Sequence, residues 1–315
     1  MRTCSVNNQF LVEPSCCKSV TEAKALLSKF GFSTGRYIVC LPEAWKKVLK
    51  VRFSGESEIE KLRLSRLLQK AKEQKSLIVH SRAFWDDQQS WLANADAYFT
   101  SSRCIDAIVV DHEAAAQQSS HLTMDQLLDM PPTAEERIDA IPDELGRVSD
   151  VFLKLNTEVF LVDPFLNPCK HDVESVLQKL FTSLIVGQCR AVKIFARNKC
   201  DEPKNKTWDE VVTKLDGFLA QFSPPKELLV TYVLLNDKQN PEEMHGRYLF
   251  SNRGGIRIDD GFKKLPKGRR TDVAPMSQSV LDDIWRTFVV EHQKLHVAYE
   301  CSRKFDGSKW GNVSR

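Results

Sequence analysis

The most constraining feature of the sequence is an alternation of short apolar runs with longer amphipathic segments. In the first half, three runs have the length and composition of strands: 36–42, 76–81 and 107–111. Segments with helical periodicity lie around them, at 20–30, 57–74 and 83–99. Such alternation is typical of α/β proteins in which helices join parallel strands. It predicts a small α/β domain within residues 1–112.

The second half repeats this alternation with stronger patterns. Five runs predict strands: 158–164, 191–197, 228–235, 246–252 and 256–258. Three apolar stripes predict helices, at 172–185, 207–222 and 277–295. The glycine pair at 254–255 predicts a hairpin between the last two strands. We therefore expect a second α/β domain, with a mixed sheet flanked by helices, over residues 151–300.

The remaining segments are assigned to connections. Residues 113–150 are polar, contain a proline pair and an acidic stretch, and predict a linker with a short helix near TMDQLLDM. Residues 301–315 are assigned to a tail. A chain of 315 residues accommodates two domains at roughly 100–200 residues each.

Composition restricts the classes of function. The net charge of +3 is small, so any nucleic-acid contact must come from a local basic patch. Neither a membrane span nor a signal core is visible, and the nine cysteines are scattered without a CxxC pair. These features predict a cytoplasmic protein with no membrane span, no metal site and no cofactor. A nucleotide-binding enzyme in the first domain has no support, because GxGxxG and GxxxxGK[ST] are absent.

One segment, 244–262, carries the chemistry. His245, Arg247 and Asn252 form the pattern H-x-R-x4-N on a predicted strand. Alternation along a strand would place His245 and Arg247 on one face, about 7 Å apart, where both could contact one phosphate. A histidine can attack phosphorus or protonate a leaving oxygen, and a fixed cation stabilises the charged oxygens.

This pattern resembles the phospholipase D superfamily, which is defined by H-x-K-x4-D late in an α/β domain. It is more similar still to the phospholipase D-like C-terminal domain of MIT-domain proteins. The resemblance covers residues 150–300. It implies that His245 is the nucleophile or proton donor, that Arg247 binds phosphate, and that Asn252 takes the place of an aspartate. Asparagine lacks the charge that would orient a catalytic histidine, so the resemblance allows two functions.

The first is binding and metal-independent hydrolysis of nucleic-acid phosphodiesters, DNA or RNA, through a phosphohistidine. Catalysis would need two such motifs, from a homodimer or from a second copy in the chain. His80 and Arg82, followed by Asp87, fit H-x-R-x4-D, but a buried or helix-capping histidine is the favoured interpretation. The pairing of domains is reminiscent of accessory proteins in bacterial restriction or phage-defence systems. The second function is a non-catalytic adaptor that recognises a phosphate or polyanion and binds a protein partner.

A basic patch follows the motif and would bind the substrate backbone. Its members are cationic residues of 253–270: Arg253, Arg257, Lys263, Lys264, Lys267, Arg269 and Arg270. FKKLPKGRR predicts a mobile basic loop beside the site, able to follow a polyanion, although a solvated loop is an equal alternative.

Three further features favour structural roles. Asp163 could face the site from a strand end, but a turn-initiating aspartate is favoured. His292 and His296 have metal-ligand spacing, yet they flank an apolar stripe and are expected in the core or at a partner. Trp85 and Trp91 are expected to pack on a sheet.

Overall fold

A computed structural model describes most of the chain. The described residues are 8–31, 34–73, 76–79, 85–101, 105–111, 118–131, 135–200, 205–236, 239–240 and 245–313. The chain divides into two compact units, Met1–Ala134 and Glu135–Arg315, here called the N-terminal unit and the C-terminal unit.

The N-terminal unit alternates strands and helices. Its strands are β1 (Asn8–Val12), β2 (Arg36–Val39), β3 (Leu77–Ile78), β4 (Ala107–Val110) and β5 (His121–Thr123). Its helices are α1 (Val20–Leu27), α2 (Trp45–Arg52), α3 (Glu58–Glu73), α4 (Trp91–Ser101) and α5 (Met124–Asp129). Ser57 caps the start of α3, because its hydroxyl accepts a hydrogen bond from the Glu60 N–H at 3.3 Å.

The strands of this unit form one parallel sheet in the order β3-β2-β1-β4-β5. Strand β1 lies at the centre and all five of its residues are buried, although no strand was predicted in this part of the sequence. The Trp45 indole N–H donates to the Val12 carbonyl at 2.7 Å and ties α2 to the sheet.

The C-terminal unit contains a larger sheet. Its strands are β6 (Glu136–Asp139), β7 (Glu158–Val162), β8 (Ala191–Arg197), β9 (Leu228–Leu235), β10 (Tyr248–Ser251), β11 (Gly254–Ile258), β12 (Arg270–Pro275), β13 (Val297–Phe305) and β14 (Trp310–Asn312). Its helices are α6 (Pro142–Leu155), α7 (His171–Val186), α8 (Trp208–Leu219) and α9 (Gln278–Trp285), the last continued by one π-helical turn, Arg286–Val290.

The strand order of this sheet is β14-β13-β9-β8-β7-β10-β11-β12-β6. The three central strands β7, β8 and β9 are parallel, and all other pairs are antiparallel. The predicted hairpin is present as β10 and β11. Helix α9 packs on one face through Leu281 and Phe288. Helix α8 lies on the other face, where Trp208 stacks on Tyr232 at 6.4 Å.

The α/β class predicted from the sequence is confirmed. Two segments that were assigned to connections contain helices and strands. The segment 113–150, assigned to a linker, contains β5, α5, β6 and most of α6, and β6 pairs with β12. The segment 301–315, assigned to a tail, continues β13 and adds β14, and Arg303 is anchored to Asp216 of α8 by two hydrogen bonds of 2.6 and 3.1 Å. These strands contain many charged residues, so their composition resembles that of loops.

Candidate functional site

Side chains from several strands meet at one edge of the C-terminal sheet. The parallel strands β7, β8 and β9 all end there, and β10 starts there because it runs antiparallel to β7, with Tyr248 opposite Val162. Crevices at the carboxyl ends of parallel strands are the usual ligand sites of α/β sheets.

The motif residues precede β10 instead of lying on it. Strand β10 begins at Tyr248, so the alternation argument does not apply to His245 and Arg247. His245 is exposed. The Arg247 guanidinium is half-buried, and its Nη1 donates to the Asp259 carbonyl at 2.6 Å. Its Nε is buried without a hydrogen-bond partner.

Asn252 does not join the site. It is exposed in the turn between β10 and β11, at the far end of β10 from Arg247. Five residues of extended chain separate the two, which is roughly 16 Å. Arg253 lies in the same turn. The structure therefore does not bring Asn252 to His245.

Asp163, which follows β7, is a buried structural anchor. Its side-chain oxygens accept hydrogen bonds from the N–H groups of Phe165 and Phe262, both at 2.8 Å. The first bond forms the turn that the sequence indicated. Burial raises the pKa of the Asp163 carboxyl, while these hydrogen bonds and the charges of Arg247 and Lys263 oppose that shift. Asp163 thus joins the end of β7 to the loop that carries Lys263.

Three cations surround the ring of Phe165. The Arg247 Cζ lies 5.4 Å from the ring centroid, and the Arg197 Cζ and the Lys263 Nζ each lie 5.7 Å from it. Phe165 itself is 38% exposed, so this group is open to solvent. We call these four residues the Phe165 cluster. Cation–π contacts hold the positive charges close together despite their mutual repulsion.

A cavity of about 200 Å³, here called the edge pocket, lies beside the Phe165 cluster. Four cationic side chains line it: Lys170, Arg197, Lys199 and Lys206. No carboxylate is among the described residues that line it. Lys170 is the N-cap of α7, and Lys206 precedes the N-cap of α8. Helix N-termini favour anions, so backbone and side chains here have the same electrostatic preference.

The basic loop is tethered along its length, contrary to the prediction of a mobile loop. The Lys264 N–H donates to the Asp172 carbonyl at 2.9 Å, and the Leu265 N–H donates to the Ala140 carbonyl at 2.9 Å. The Ala140 N–H in turn donates to the Arg269 carbonyl at 3.2 Å. The side chains of Lys264, Lys267 and Arg269 are exposed on this tethered backbone.

Two predicted substrate contacts are engaged in ion pairs. Arg257 contacts Asp259 at 3.0 Å and Glu135 at 3.5 Å, and Arg270 contacts Asp139 at 3.3 Å. Of the predicted basic residues, only Lys263 joins Arg247 in the Phe165 cluster.

The other residues named from the sequence lie apart from this site. His80 and Arg82 lie outside the described residues, whereas Asp87 accepts a hydrogen bond from the Trp85 indole. His292 and His296 are exposed, so they are not core residues, and the alternative that they face a partner stays a prediction. The Trp91 indole donates to the Leu41 carbonyl at 2.7 Å, a structural role as expected.

Two clusters of residues elsewhere contain several carboxylates, which would repel a phosphate. Within the described residues, Glu135, Asp259 and Asp272 have carboxylate oxygens within 4.8 Å of one another, but Arg257 and Arg137 pair with them. A cavity of about 580 Å³ in the N-terminal unit is lined by four carboxylates: Glu22, Asp111, Asp125 and Asp129.

Sequence reasoning missed Phe165 as the centre of the site, together with Arg197 and the lysines of the edge pocket. Their shared signal is position, since each follows a predicted strand or precedes a predicted helix of the second half. Among the residues that the structure describes, no helix combines the length and apolar character needed to cross a bilayer.

Comparisons with known proteins assign no family. No family model matches the sequence, and no curated protein matches it. Among solved structures, a similar chain is TrmBL2, an archaeal chromatin protein whose structure shows a novel mode of DNA binding. The two share 12% identity at a TM-score of 0.28, over 55% of this chain and 57% of that one. A similarity of this size carries no argument about function.

Proposed function

We propose that the C-terminal unit binds the phosphodiester backbone of a nucleic acid at the carboxyl edge of its parallel strands. The observation that carries this proposal is the Phe165 cluster, in which Arg197, Arg247 and Lys263 lie within 5.7 Å of one ring centroid. Phosphate oxygens are suitable partners for clustered cations, and guanidinium groups bind these oxygens bidentately.

The spread of the charges favours a polymer over a small phosphate. The edge pocket adds Lys170 and Lys199, together with Lys206, which also contacts Glu210 at 2.9 Å. The tethered loop adds exposed Lys264 and Lys267 on the side of Lys263. A row of successive phosphates can neutralise such an extended surface, and it releases counterions when it does so.

Recognition without cleavage is favoured over hydrolysis. Asn252 lies at the opposite end of β10 from Arg247, so it does not orient His245. Hydrolysis through a phosphohistidine is the second candidate. In that case the exposed His245 attacks phosphorus without a metal ion, and a homodimer supplies the second histidine that protonates the leaving oxygen. A role in a bacterial defence system stays a prediction.

Binding is tested by fluorescence anisotropy with a labelled 20-nucleotide single-stranded DNA, the RNA of the same sequence and the DNA duplex. The double variant Arg247→Ala/Lys263→Ala removes two backbone contacts. Each contact to a single strand contributes about 0.7 to the slope of log affinity against log salt, so two contacts contribute about 1.4. If these contacts contribute nothing at 1 M salt, the affinity in 0.1 M salt should fall by about 25-fold. The matched control is Arg270→Ala/Lys214→Ala, because both of its cations pair with carboxylates, Asp139 and Glu174.

Equal losses in the two double variants would refute the site, since the effect would then follow net charge alone. Absence of binding to all three probes at low salt would refute the proposed function itself. Cleavage is tested separately with EDTA present. Cleavage that disappears in His245→Ala would establish the hydrolytic candidate, and cleavage that persists in this variant would exclude it.

A further inference from the structure

The N-terminal unit carries a second concentration of positive charge, in a cleft of about 470 Å³ between α2 and α3. Lys46, Lys47 and Lys50 line it from α2, and Lys72 lines it from α3. Glu43 is the one carboxylate among the described residues of its lining. We call this feature the lysine cleft.

None of these four lysines forms an ion pair with a carboxylate of the described chain. By contrast, Lys61 and Arg63, elsewhere on α3, pair with Glu58 and Glu60 at 2.8 and 2.6 Å. Lys72 of α3 and the three lysines of α2 therefore bring charge to the cleft that no carboxylate of the described residues neutralises. Like charges that converge without partners repel one another, and a bound anion removes that repulsion.

The kind of anion follows from the arrangement of the cations. Lys46 and Lys50 are four residues apart on α2, about 6 Å along the helix axis, and their long side chains can reach separate groups. Four ammonium groups along a cleft match several phosphates in a row better than one small anion. Lysine acts as a point charge without bidentate geometry, so such contacts do not depend on base sequence.

We propose that the lysine cleft is a second binding site for a nucleic-acid phosphate backbone. This site is separate from the Phe165 cluster and does not depend on it. Each unit then contributes its own backbone contacts to the total affinity. Ser65, which also lines the cleft, adds a neutral hydrogen-bond donor for phosphate oxygens, whereas the Gln69 amide donates to the Glu73 carboxylate at 2.8 Å.

The test uses the full chain and the triple variant Lys47→Gln/Lys50→Gln/Lys72→Gln, with the same labelled single-stranded 20-mer. These three lysines are exposed, so the substitutions spare the core. Three contacts at about 0.7 each predict a decrease of about 2 in the magnitude of the salt slope. If these contacts contribute nothing at 1 M salt, the affinity in 0.1 M salt falls on the order of 100-fold.

The control also removes three lysine charges, but from positions of the C-terminal unit at which each lysine is paired with a carboxylate. It is Lys179→Gln/Lys294→Gln/Lys304→Gln, whose lysines contact Asp143, Glu291 and Glu227 at 2.6 to 2.9 Å. The slope of this control should stay within about 0.5 of the parent value. Acylation footprinting gives a second readout, in which the DNA protects Lys47, Lys50 and Lys72 but not Lys61.

Several outcomes would overturn the inference. One is a triple variant with the parent salt slope, and another is an equal decrease in the control. Val48 and Val51 on α2 are exposed apolar side chains, so anionic phosphatidylserine vesicles are the competing probe. Loss of vesicle binding with unchanged DNA binding would assign the cleft to a lipid surface instead. If Arg247→Ala/Lys263→Ala abolished DNA binding and the cleft variant bound DNA like the parent, the Phe165 cluster would be the sole site.

Discussion

Substitution of Gly261 should disrupt the junction that positions both Arg247 and Lys263. Gly261 has a φ of +78°, and a Cβ there would lie 2.2 Å from the Asp163 Oδ2 and 2.7 Å from the Arg247 Cδ. The left-handed backbone alone costs about 1–2 kcal/mol for alanine. The carboxylate must also move, which breaks its bond to the buried Phe262 N–H and costs about 1–3 kcal/mol more. Gly261→Ala should therefore lower the free energy of unfolding by about 2–5 kcal/mol.

The two contributions can be separated with a double-mutant cycle. In Asp163→Ala the carboxylate is absent, so a second change, Gly261→Ala, should cost only the backbone contribution of about 1–2 kcal/mol. The coupling energy is then about 1–3 kcal/mol. Gly268→Ala is the matched control, because Gly268 has a φ of +82° but no atom within 4 Å of the added Cβ.

Urea denaturation gives the unfolding free energies, and hydrogen exchange of the peptide that contains Phe262 reports the local opening. Both should show a large change for Gly261→Ala and a small one for Gly268→Ala. Additivity of Gly261→Ala and Asp163→Ala within about 0.5 kcal/mol would refute the reasoning, since contacting residues should couple.

Three other changes have defined outcomes. Burial raises the pKa of Asp163 in the folded state, so its charged form destabilises the fold at a pH above that folded pKa. This cost is lost as the pH falls from the folded pKa toward the unfolded value of about 3.9. Urea titrations from pH 7 to about pH 4 should therefore show wild type gaining stability relative to Asp163→Asn. Phe165→Leu should weaken DNA binding about 3- to 10-fold with an unchanged salt slope, because it removes cation–π contacts but no charge; a changed slope in anisotropy titrations would contradict this. Trp45→Phe leaves the Val12 carbonyl without its donor and should cost about 1–3 kcal/mol in urea denaturation, so a cost below about 0.5 kcal/mol would exclude that bond as a stabilising contact.

The sequence predicted the starts of those helices that depend on neighbouring residues in the chain. Helices were predicted to begin at residues 207 and 277, and Thr207 and Ser277 are the N-caps of α8 and α9. The Thr207 side chain and Glu210 form a reciprocal cap. Strand β1 was missed because Asn8 and Gln9 at its start are polar, although both are buried. Its central place depends on pairing with β2 and β4, which are distant in the sequence.

The candidate site, too, was predicted only where a local sequence pattern marks its residues. The H-x-R motif drew attention to Arg247, which lies in the Phe165 cluster. Phe165 and Arg197 belong to the ends of different strands, and they meet Arg247 only because β7 lies between β8 and β10 in the sheet. No local pattern encodes that order. The spacing to Asn252 was misleading because the strand is short, which puts this residue in a turn at the opposite end.

The pairing of β6 with β12 has a consequence for how the C-terminal unit can form. Asp139 and Arg270, which touch across these strands, are 131 positions apart in the chain. During synthesis, β6 therefore emerges long before β12, the strand with which it pairs. A fragment that begins at residue 151 would lack β6 and most of α6, which would leave β12 as a bare edge open to pairing with other chains. A fragment that begins at Glu135 keeps that edge covered, and it is the natural unit for studying this half of the molecule in isolation.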